Sequence, residues 1–359
     1  MSSKLYFTPG PTGLYPTVPQ HIQQALVDDV CAISHRSKKY EVIHESAVNN
    51  IKFLLGIPEG FHVFFTGSAT EIWDRTIENL VDETTFHLVN GSFSKRYYET
   101  SQELGRKASA IEQPMGEGFD LKNLDIPAGV EMICLTHNET SSGVSLVVED
   151  IKYVRNSNPD ALISVDSVSS VPFPVYDWSQ IDTLLFSVQK GFGLPAGLGV
   201  WVVNEKCVEK SLQRQKEGKV IGSYHSIPSL LSKAKSNQTP ETPNVLGIYL
   251  LSKVSDDMIK KGIEVIRKET SKKADLLYTF ASKSQTFEPF VKNIEHRSQT
   301  VVVLNTKTAP ADVNKYLSNY NMQVGSGYAK FKDTQLRIAN FPGSTVEQVE
   351  ELVSYLEKL

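Results

Sequence analysis

The sequence predicts an α/β protein with a mainly parallel central sheet flanked by helices. Between residues 61 and 203, short apolar runs alternate with segments long enough to cross over as helices, which is typical of parallel βαβ units. Two of these runs end close to a polar residue, one at Asp166 and the other near Lys190. A buried strand would bring each of these residues to the edge of the sheet. The predicted strands are 61–65, 85–89, 131–136, 161–165, 183–187 and 198–203.

The regions on either side of this alternation have different patterns. Residues 5–17 are rich in proline and glycine, which predicts an extended arm without regular structure. Residues 217–245 have weak periodicity and predict a long loop. Apolar positions with a helical period precede the first strand and end at Gly56 and Pro58. The remaining predicted elements are a helical pattern at 246–283, a strand at 300–304, a helix at 310–320, a strand at 335–338 and a helix at 344–357.

These patterns divide the 359 residues into three predicted parts. Residues 1–17 form an N-terminal arm, residues 18–254 a large domain, and residues 255–359 a smaller α+β C-terminal domain. The length is sufficient for two domains, each with a core of its own.

Composition excludes several classes of protein. Hydrophobic residues make up 40% and charged residues 22% of the chain, as in ordinary globular proteins, and the net charge of -4 argues against nucleic-acid binding. The start has no signal-peptide core and no run approaches the roughly 20 apolar residues of a membrane span, so we expect a cytoplasmic protein. The three cysteines, Cys31, Cys134 and Cys207, are too scattered for a disulfide framework or a metal site.

Lys190 and Asp166 are the residues that indicate chemistry. An amine and a carboxylate presented together suit pyridoxal phosphate, which needs a Schiff-base lysine and an acidic partner for its pyridine nitrogen. Taken alone, each residue has a simpler interpretation, Lys190 as a surface lysine and Asp166 as a helix cap. Lys190 nevertheless follows an apolar run and precedes glycines, a setting in which surface lysines are rare.

Three further segments fit the same cofactor. Ser68 and Ala69 lie between a strand and a helix start, where the free N–H groups and helix dipole favour a phosphate, although an ordinary N-cap explains them too. Phe93 follows another strand and could stack on the pyridine ring, or pack in the core. Thr140 could bond the ring hydroxyl oxygen, or belong to a local turn.

Together these segments identify a resemblance that extends over almost the whole chain. The sequence resembles class V aminotransferases of fold type I, and among them the phosphoserine aminotransferase branch. The matching residues are Ser34-His35-Arg36, Gly67-Ser68-Ala69, Asn138-Glu139-Thr140, Asp166, Gln189-Lys190, Thr242 and Arg337.

The resemblance implies a fold type I homodimer with shared active sites that acts on amino acids and 2-oxo acids. Gln189 and Lys190 belong to the cofactor site, and Thr242 reaches the cofactor phosphate of the partner subunit. His35 and Arg36 bind the substrate phosphate, and Arg337 binds the substrate α-carboxylate. From the residues alone, His35 and Arg36 could equally be a helix cap or surface pair, and Arg337 a structural ion pair.

The implied reaction is transamination between O-phospho-L-serine and 2-oxoglutarate, as in serine biosynthesis. Three departures bear on it: Phe93 stands where the branch usually has tryptophan, Glu241 precedes Thr242, and Lys330 and Lys332 stand in place of a second His-Arg pair. The alternative is a serine–pyruvate or alanine–glyoxylate type aminotransferase. A cysteine desulfurase and a cofactor-free scaffold fit the sequence less well.

Overall fold

The computed structural model describes residues 4–359, so the first three residues of the predicted arm lie outside the described part. The strands of the described residues are β1 (Leu5–Phe7), β2 (Phe61–Thr66), β3 (Thr84–Val89), β4 (Lys107–Glu112), β5 (Met132–Thr136), β6 (Asn138–Glu139), β7 (Val144–Ser145), β8 (Leu162–Asp166), β9 (Thr183–Ser187), β10 (Gly199–Asn204), β11 (Phe287–Pro289), β12 (Val301–Thr306), β13 (Met322–Ser326) and β14 (Gln335–Ala339).

The same residues form helices that alternate with these strands in the first two thirds of the chain. They are α1 (Val18–Val27), α2 (Lys38–Leu55), α3 (Ala69–Leu80), α4 (Ser92–Glu103), α5 (Ile151–Ser157), α6 (Glu205–Lys216), α7 (Ile227–Ala234), α8 (Val245–Lys261), α9 (Ile263–Lys283), α10 (Pro310–Ser318) and α11 (Val346–Leu356). In residues 4–359, no helix is both long and apolar enough to cross a membrane.

A seven-stranded sheet with the order β2-β10-β9-β8-β5-β3-β4 forms the centre of the larger part. The five strands from β9 to β4 are parallel, and β10 is antiparallel to both of its neighbours. The prediction of a mainly parallel sheet flanked by helices is therefore confirmed, and β10 is the exception that the apolar pattern did not reveal.

Hydrophobic residues cover both faces of this sheet, because side chains alternate along a strand. In β9, Leu184 and Phe186 pack into one apolar cluster, whereas Leu185 packs into another that includes Trp73 and Trp201. Strands buried on both faces read as continuous apolar runs, and for this reason they were visible in the sequence.

The direction of the strands decides where the functional edge lies. Thr66 of β2 and Ser187 of β9 both pair with Gly199 of β10, so β2 and β9 end at the same edge of the sheet. Asp166 ends β8 at that edge because β8 runs parallel to β9. The loops after β2, β5, β8 and β9 consequently meet there.

A second sheet of five strands has the order β1-β13-β14-β12-β11. Its first strand, Leu5–Phe7, is parallel to β13, so the expectation that residues 5–17 lack regular structure is wrong for these three residues. Three residues are too few to show a period, and the strand exists because it pairs with β13. The division of the chain into domains at residues 17 and 254 stays a prediction.

Two other expectations need correction. The helical pattern at 246–283 is two helices, separated at Gly262, whose φ of 91° an α-helix does not accommodate. The predicted loop at 217–245 contains α7. In addition, β4 and β13 were not predicted. The residues of β4 are exposed or half-buried, and in β13 polar Gln323 and Ser326 interrupt the buried positions, so neither makes a continuous apolar run.

Candidate active site

Lys190 lies three residues beyond the end of β9, in a tight turn at the functional edge. The next residue is Gly191, where a Cβ atom would lie 1.9 Å from the carbonyl oxygen of Val171, so only glycine fits. Lys190 is buried, and its Nζ donates a hydrogen bond of 2.8 Å to Thr140 Oγ1. Burial lowers the pKa of this amine to about 8, although the negative charge of Asp166 opposes the shift.

Asp166 is the last residue of β8, and its carboxylate is buried beside the sheet edge. Its Oδ2 accepts a 3.0 Å hydrogen bond from Trp73 Nε1, and its Oδ1 accepts one of 3.0 Å from the amide of Val168. Burial raises the pKa of Asp166 to about 6, although these hydrogen bonds and the charge of Lys190 lower it. A buried carboxylate with a raised pKa is suited to a cationic partner.

Trp73 is a site residue that the sequence analysis missed. It lies one turn after the start of α3, and its indole stacks on Tyr97 with 5.4 Å between the ring centroids. Tyr97 in turn shares a 2.9 Å hydrogen bond with Ser164 of β8. The only signal in the sequence was an apolar position in α3, which does not show that the indole N–H reaches Asp166.

The turn formed by residues 67–69 joins β2 to α3 and is tied to the strand that leads to Lys190. The amide of Ala69 donates a 2.7 Å hydrogen bond to Ser187 Oγ at the end of β9. Ser68 caps α3, since its Oγ accepts a 3.1 Å hydrogen bond from the amide of Glu71. The predicted N-cap is present, and it leaves the positive end of the α3 dipole at the functional edge.

Phe93 and Thr140 both lie next to the Lys190 amine. The Phe93 ring centroid is 5.1 Å from Lys190 Nζ, and Tyr328 lies 5.5 Å from the same ring. Phe93 belongs to the first turn of α4, and this turn is held by the carboxylate of Glu139.

Glu139 is a second residue whose role the sequence did not reveal. Its buried carboxylate accepts hydrogen bonds from the amide and the hydroxyl of Ser94, each 2.8 Å long, and from the Ser141 hydroxyl at 2.6 Å. It therefore connects the start of α4 to the loop that carries Thr140, which fixes Phe93 and Thr140 relative to each other.

Arg337 reaches this group from the second sheet. Its Nε donates a 2.9 Å hydrogen bond to the Ser326 carbonyl, and its Nη1 lies 3.4 Å from the Thr140 carbonyl. The guanidinium lies 5.2 Å from the ring centroid of Tyr328. Burial lowers the pKa of Arg337, but an arginine stays protonated, so a fixed positive charge faces the site.

The structure brings together Lys190, Asp166, Phe93, Thr140 and Arg337, but it places three predicted residues elsewhere in the same chain. The Arg36 guanidinium donates hydrogen bonds to Gln238 Oε1 at 2.9 Å and to the carbonyl of Thr239 at 2.7 Å. His35 lies beside Tyr40, with 6.5 Å between the rings, and Thr242 is exposed.

Gln189 precedes Lys190, and its carbonyl accepts a 3.2 Å hydrogen bond from the amide of Thr12. The N-terminal segment therefore packs against the Lys190 turn. Among residues 4–359, no group of three or more His, Cys, Asp or Glu side chains is placed to hold a metal ion.

The chemistry of these groups fits pyridoxal phosphate. The buried amine of Lys190 could bind its aldehyde carbon, and the buried carboxylate of Asp166 could face its pyridine nitrogen. The ring of Phe93 offers a flat apolar surface, and the 67–69 turn offers a helix N-terminus for its phosphate. Each requirement of the cofactor is matched by a group at one edge of the sheet.

Comparison with known proteins leads to the same class. Residues 5–332 match the family described as aminotransferase class-V. The crystal structure of a phosphoserine aminotransferase from Cytophaga hutchinsonii is 52% identical with a TM-score of 0.98, and the match covers 100% of this chain and 99% of that chain. The phosphoserine aminotransferase of Rhodococcus opacus (strain B4) is 28% identical over 341 residues, 93% of this chain and 90% of its own.

A more distant structure shares the fold alone. An alanine–glyoxylate aminotransferase from Nostoc sp. has a TM-score of 0.84 at 20% identity, covering 100% of this chain and 95% of that chain. Similarity at this level shows that the architecture is widespread and carries no information on substrate.

The chain belongs to the class-V aminotransferases, and it is a pyridoxal-phosphate-dependent transaminase. Within this family, the chain is similar to phosphoserine aminotransferases in both sequence and structure. The resemblance noted in the sequence is thereby confirmed, as is the fold type I architecture.

Proposed function

We propose that the enzyme transfers the amino group of O-phospho-L-serine to 2-oxoglutarate, giving 3-phosphohydroxypyruvate and L-glutamate. The observation that carries this proposal is the 52% identity, over the full chain, to a phosphoserine aminotransferase. The buried Lys190 and Asp166 at one edge of the central sheet, with Arg337 reaching them from the second sheet, support transamination itself. The reaction belongs to serine biosynthesis, and we place the enzyme in the cytoplasm as a homodimer.

The cofactor site comprises residues that lie at or just beyond the ends of strands, together with one residue of the partner subunit. Lys190 would bind the cofactor covalently, Asp166 would pair with its ring nitrogen, and Phe93 would cover the ring. Thr140 would bond the ring hydroxyl oxygen. The 67–69 turn would hold the phosphate through the Ser68 hydroxyl and the helix dipole at Ala69, together with Gln189 and with Thr242 of the partner subunit. When bound, the cofactor withdraws electrons from the α-carbon of the substrate.

Lys190 is the general base of the reaction. Its burial favours the neutral amine, and a pKa of about 8 leaves a useful fraction unprotonated near neutral pH. The Nζ of Lys190 would accept the proton from the α-carbon of the substrate and hold it for its return. The hydrogen bond to Thr140 Oγ1 holds this amine in place.

Asp166 and Arg337 act on two charged groups, the ring nitrogen of the cofactor and the α-carboxylate of the substrate. The Asp166 carboxylate favours a proton on the ring nitrogen, because opposite charges in a buried site stabilise each other. The guanidinium of Arg337 presents a planar fork that binds the substrate α-carboxylate in bidentate fashion. His35 and Arg36 bind the substrate phosphate in the neighbouring subunit's site.

A single-turnover spectral titration tests the substrate. O-phospho-L-serine, L-glutamate and L-alanine are added separately, and the loss of the visible cofactor absorbance is followed. We expect rapid reaction with phosphoserine and glutamate and slow reaction with alanine. Rapid reaction with alanine, and none with phosphoserine, would assign the enzyme to the alanine–glyoxylate or serine–pyruvate type.

The residue roles are tested by two variants. Lys190→Ala should abolish turnover and the visible absorbance, and persistence of either contradicts its covalent role. Arg36→Gln should raise the KM for phosphoserine by roughly 10- to 100-fold, because it removes one charged hydrogen bond to the substrate phosphate. The KM for glutamate should be unchanged. Arg96→Gln is the control, because Arg96 is exposed and paired with Glu103.

Shared active sites are tested by mixing subunits. Lys190→Ala and Arg36→Gln homodimers are unfolded together, refolded and assayed with phosphoserine. Random refolding of equal amounts makes about half of the dimers mixed. If Arg36 acts in the partner's site, each mixed dimer holds one intact site of two, so up to about one quarter of the wild-type activity returns. Activity no greater than the mean of the two parents places Arg36 and Lys190 in the same site.

A further inference from the structure

His225 lies in the segment between α6 and α7, and its side chain is buried between two carboxylates. Its Nδ1 contacts Glu71 Oε1 directly. Its Nε2 is 3.2 Å from Glu241 Oε2, close enough for an ion pair although the atoms are not aligned for a hydrogen bond. The ring of Tyr224 packs against it, with 4.3 Å between centroids.

Both carboxylates belong to segments next to an expected phosphate ligand. Glu71 lies in the first turn of α3, and its Oε2 accepts a 2.9 Å hydrogen bond from the amide of Gly67. Glu241 directly precedes Thr242. Glu241 is one of the three departures from the phosphoserine aminotransferase pattern, and a negative charge beside a phosphate is unfavourable.

The imidazole ring of His225 supplies a positive charge between these two carboxylates. Burial alone would lower the pKa of His225, but Glu241 and Glu71 raise it to about 9, so the ring is cationic at neutral pH. Arg75 supplies a second positive charge, with its Nε 3.7 Å from Glu71 Oε1, but it also pairs with Glu78. His225 is thus the cation that Glu71 and Glu241 share.

We propose that His225 is a positioning residue of the cofactor phosphate sites. Its positive charge offsets part of the negative charge of Glu71, which lies beside the phosphate-binding turn of the same subunit, and of Glu241, which precedes the Thr242 that reaches the partner's phosphate. The inference rests on the proposed placement of the phosphate at the 67–69 turn. It explains why this chain carries Glu241 before Thr242. Without the imidazolium, two carboxylates would face each other, with Glu71 beside the phosphate of its own subunit and Glu241 beside the Thr242 segment that reaches the partner's phosphate, and the carboxylate of Glu71 at Gly67 would lose its nearest positive charge.

The test compares two ligands that differ only in the phosphate. Dissociation constants of pyridoxal phosphate and of pyridoxal are measured for the apoenzyme of the wild type and of His225→Gln, by titration of absorbance. We expect at least about tenfold weaker binding of pyridoxal phosphate and less than about twofold change for pyridoxal. A loss of the same size for both ligands shows a structural role and overturns the proposal.

A second variant separates charge from packing. His225→Gln combined with Glu241→Gln removes one cation and one anion, so we expect it to recover at least half of the lost affinity on a logarithmic scale. A double variant as weak as the single one, or weaker, contradicts charge compensation. If His225→Gln does not fold, Glu241→Gln alone should bind pyridoxal phosphate more tightly and pyridoxal unchanged, and the opposite result refutes the proposal.

The matched control is His62→Gln, which breaks another histidine–glutamate pair, 2.8 Å from Glu205, near the start of β2 and away from the functional edge. It should leave both constants unchanged. These dissociation constants are measured without substrate, so they test His225 whichever substrate the spectral titration identifies. If the wild-type apoenzyme binds pyridoxal phosphate no more tightly than pyridoxal, the phosphate placement itself is wrong and the inference falls with it.

Discussion

The hydrogen bond between Trp73 and Asp166 should control the protonation of the buried carboxylate, and Trp73→Phe removes it. Asp166 has a pKa of about 6 in the folded protein, with the Trp73 N–H acting to lower it. Hydrogen bonds to charged groups contribute about 1.5–3 kcal/mol, and one pKa unit corresponds to about 1.4 kcal/mol. The variant should therefore raise the pKa of Asp166 by about one to two units.

This shift changes the charge of the site at neutral pH. With a pKa of about 6, roughly nine tenths of Asp166 is ionised at pH 7 in the apoenzyme. A rise of one to two units would reduce the ionised fraction to roughly a half or a tenth. Because a neutral Asp166 cannot pair with a protonated ring nitrogen, the first half-reaction should slow as well.

The assay is an infrared titration of the carboxyl group in the apoenzyme, with Asp166→Asn to assign the signal. Trp201→Phe is the matched control: Trp201 is buried in the same apolar cluster, and its indole N–H donates a 2.8 Å hydrogen bond to Thr183 instead. Both variants lose an indole and its volume, but only Trp73→Phe should move the midpoint. An unchanged midpoint, or an equal shift in the control, refutes the reasoning.

Three further predictions concern stability and substrate binding. Gly91→Ala would place a Cβ 2.3 Å from Glu139 Cγ and should lower the free energy of unfolding in urea by about 1–3 kcal/mol, whereas Gly343→Ala meets ordinary contacts and should not. Burial lowers the pKa of Lys273 to about 8, so between pH 8 and 10.5 the unfolded chain holds a proton that the folded protein lacks. The free energy of unfolding of the wild type, relative to that of Lys273→Met, should therefore rise by about 3 kcal/mol from about pH 8 to about pH 10.5. If urea denaturation gives a difference between the two proteins that does not change with pH, the burial argument is contradicted. Arg337→Lys should lower kcat/KM by roughly 10- to 100-fold with the cofactor absorbance intact, and an unchanged value in steady-state assays removes Arg337 from the substrate site.

The class of fold could be predicted because its strands are buried on both faces. β8 and β9 have no exposed residue, so each appears in the sequence as a short, mainly apolar run without polar alternation. β4 was missed because all its residues are exposed or half buried, and β1 because three residues show no period. The antiparallel direction of β10 was missed because an apolar run is the same in either direction.

The candidate site could be predicted only in part. Lys190, Asp166 and the 67–69 turn follow strand ends, and parallel strands deliver such residues to one edge. Trp73, Glu139 and His225 carry no comparable signal: an apolar position in a helix, an acid in a two-residue strand and a histidine in a polar segment are common in any protein.

The sequence by itself determined the α/β class, the lysine and carboxylate at the strand ends, and the resemblance to class V aminotransferases, because these depend on local pattern and spacing. Only the tertiary structure decided that Trp73 donates to Asp166, that Glu139 holds the first turn of α4, and that His225 lies between Glu71 and Glu241. The physical reason is that each of these contacts joins residues distant in the chain, and their pKa values follow from burial and neighbouring charge, which exist only once the chain is folded.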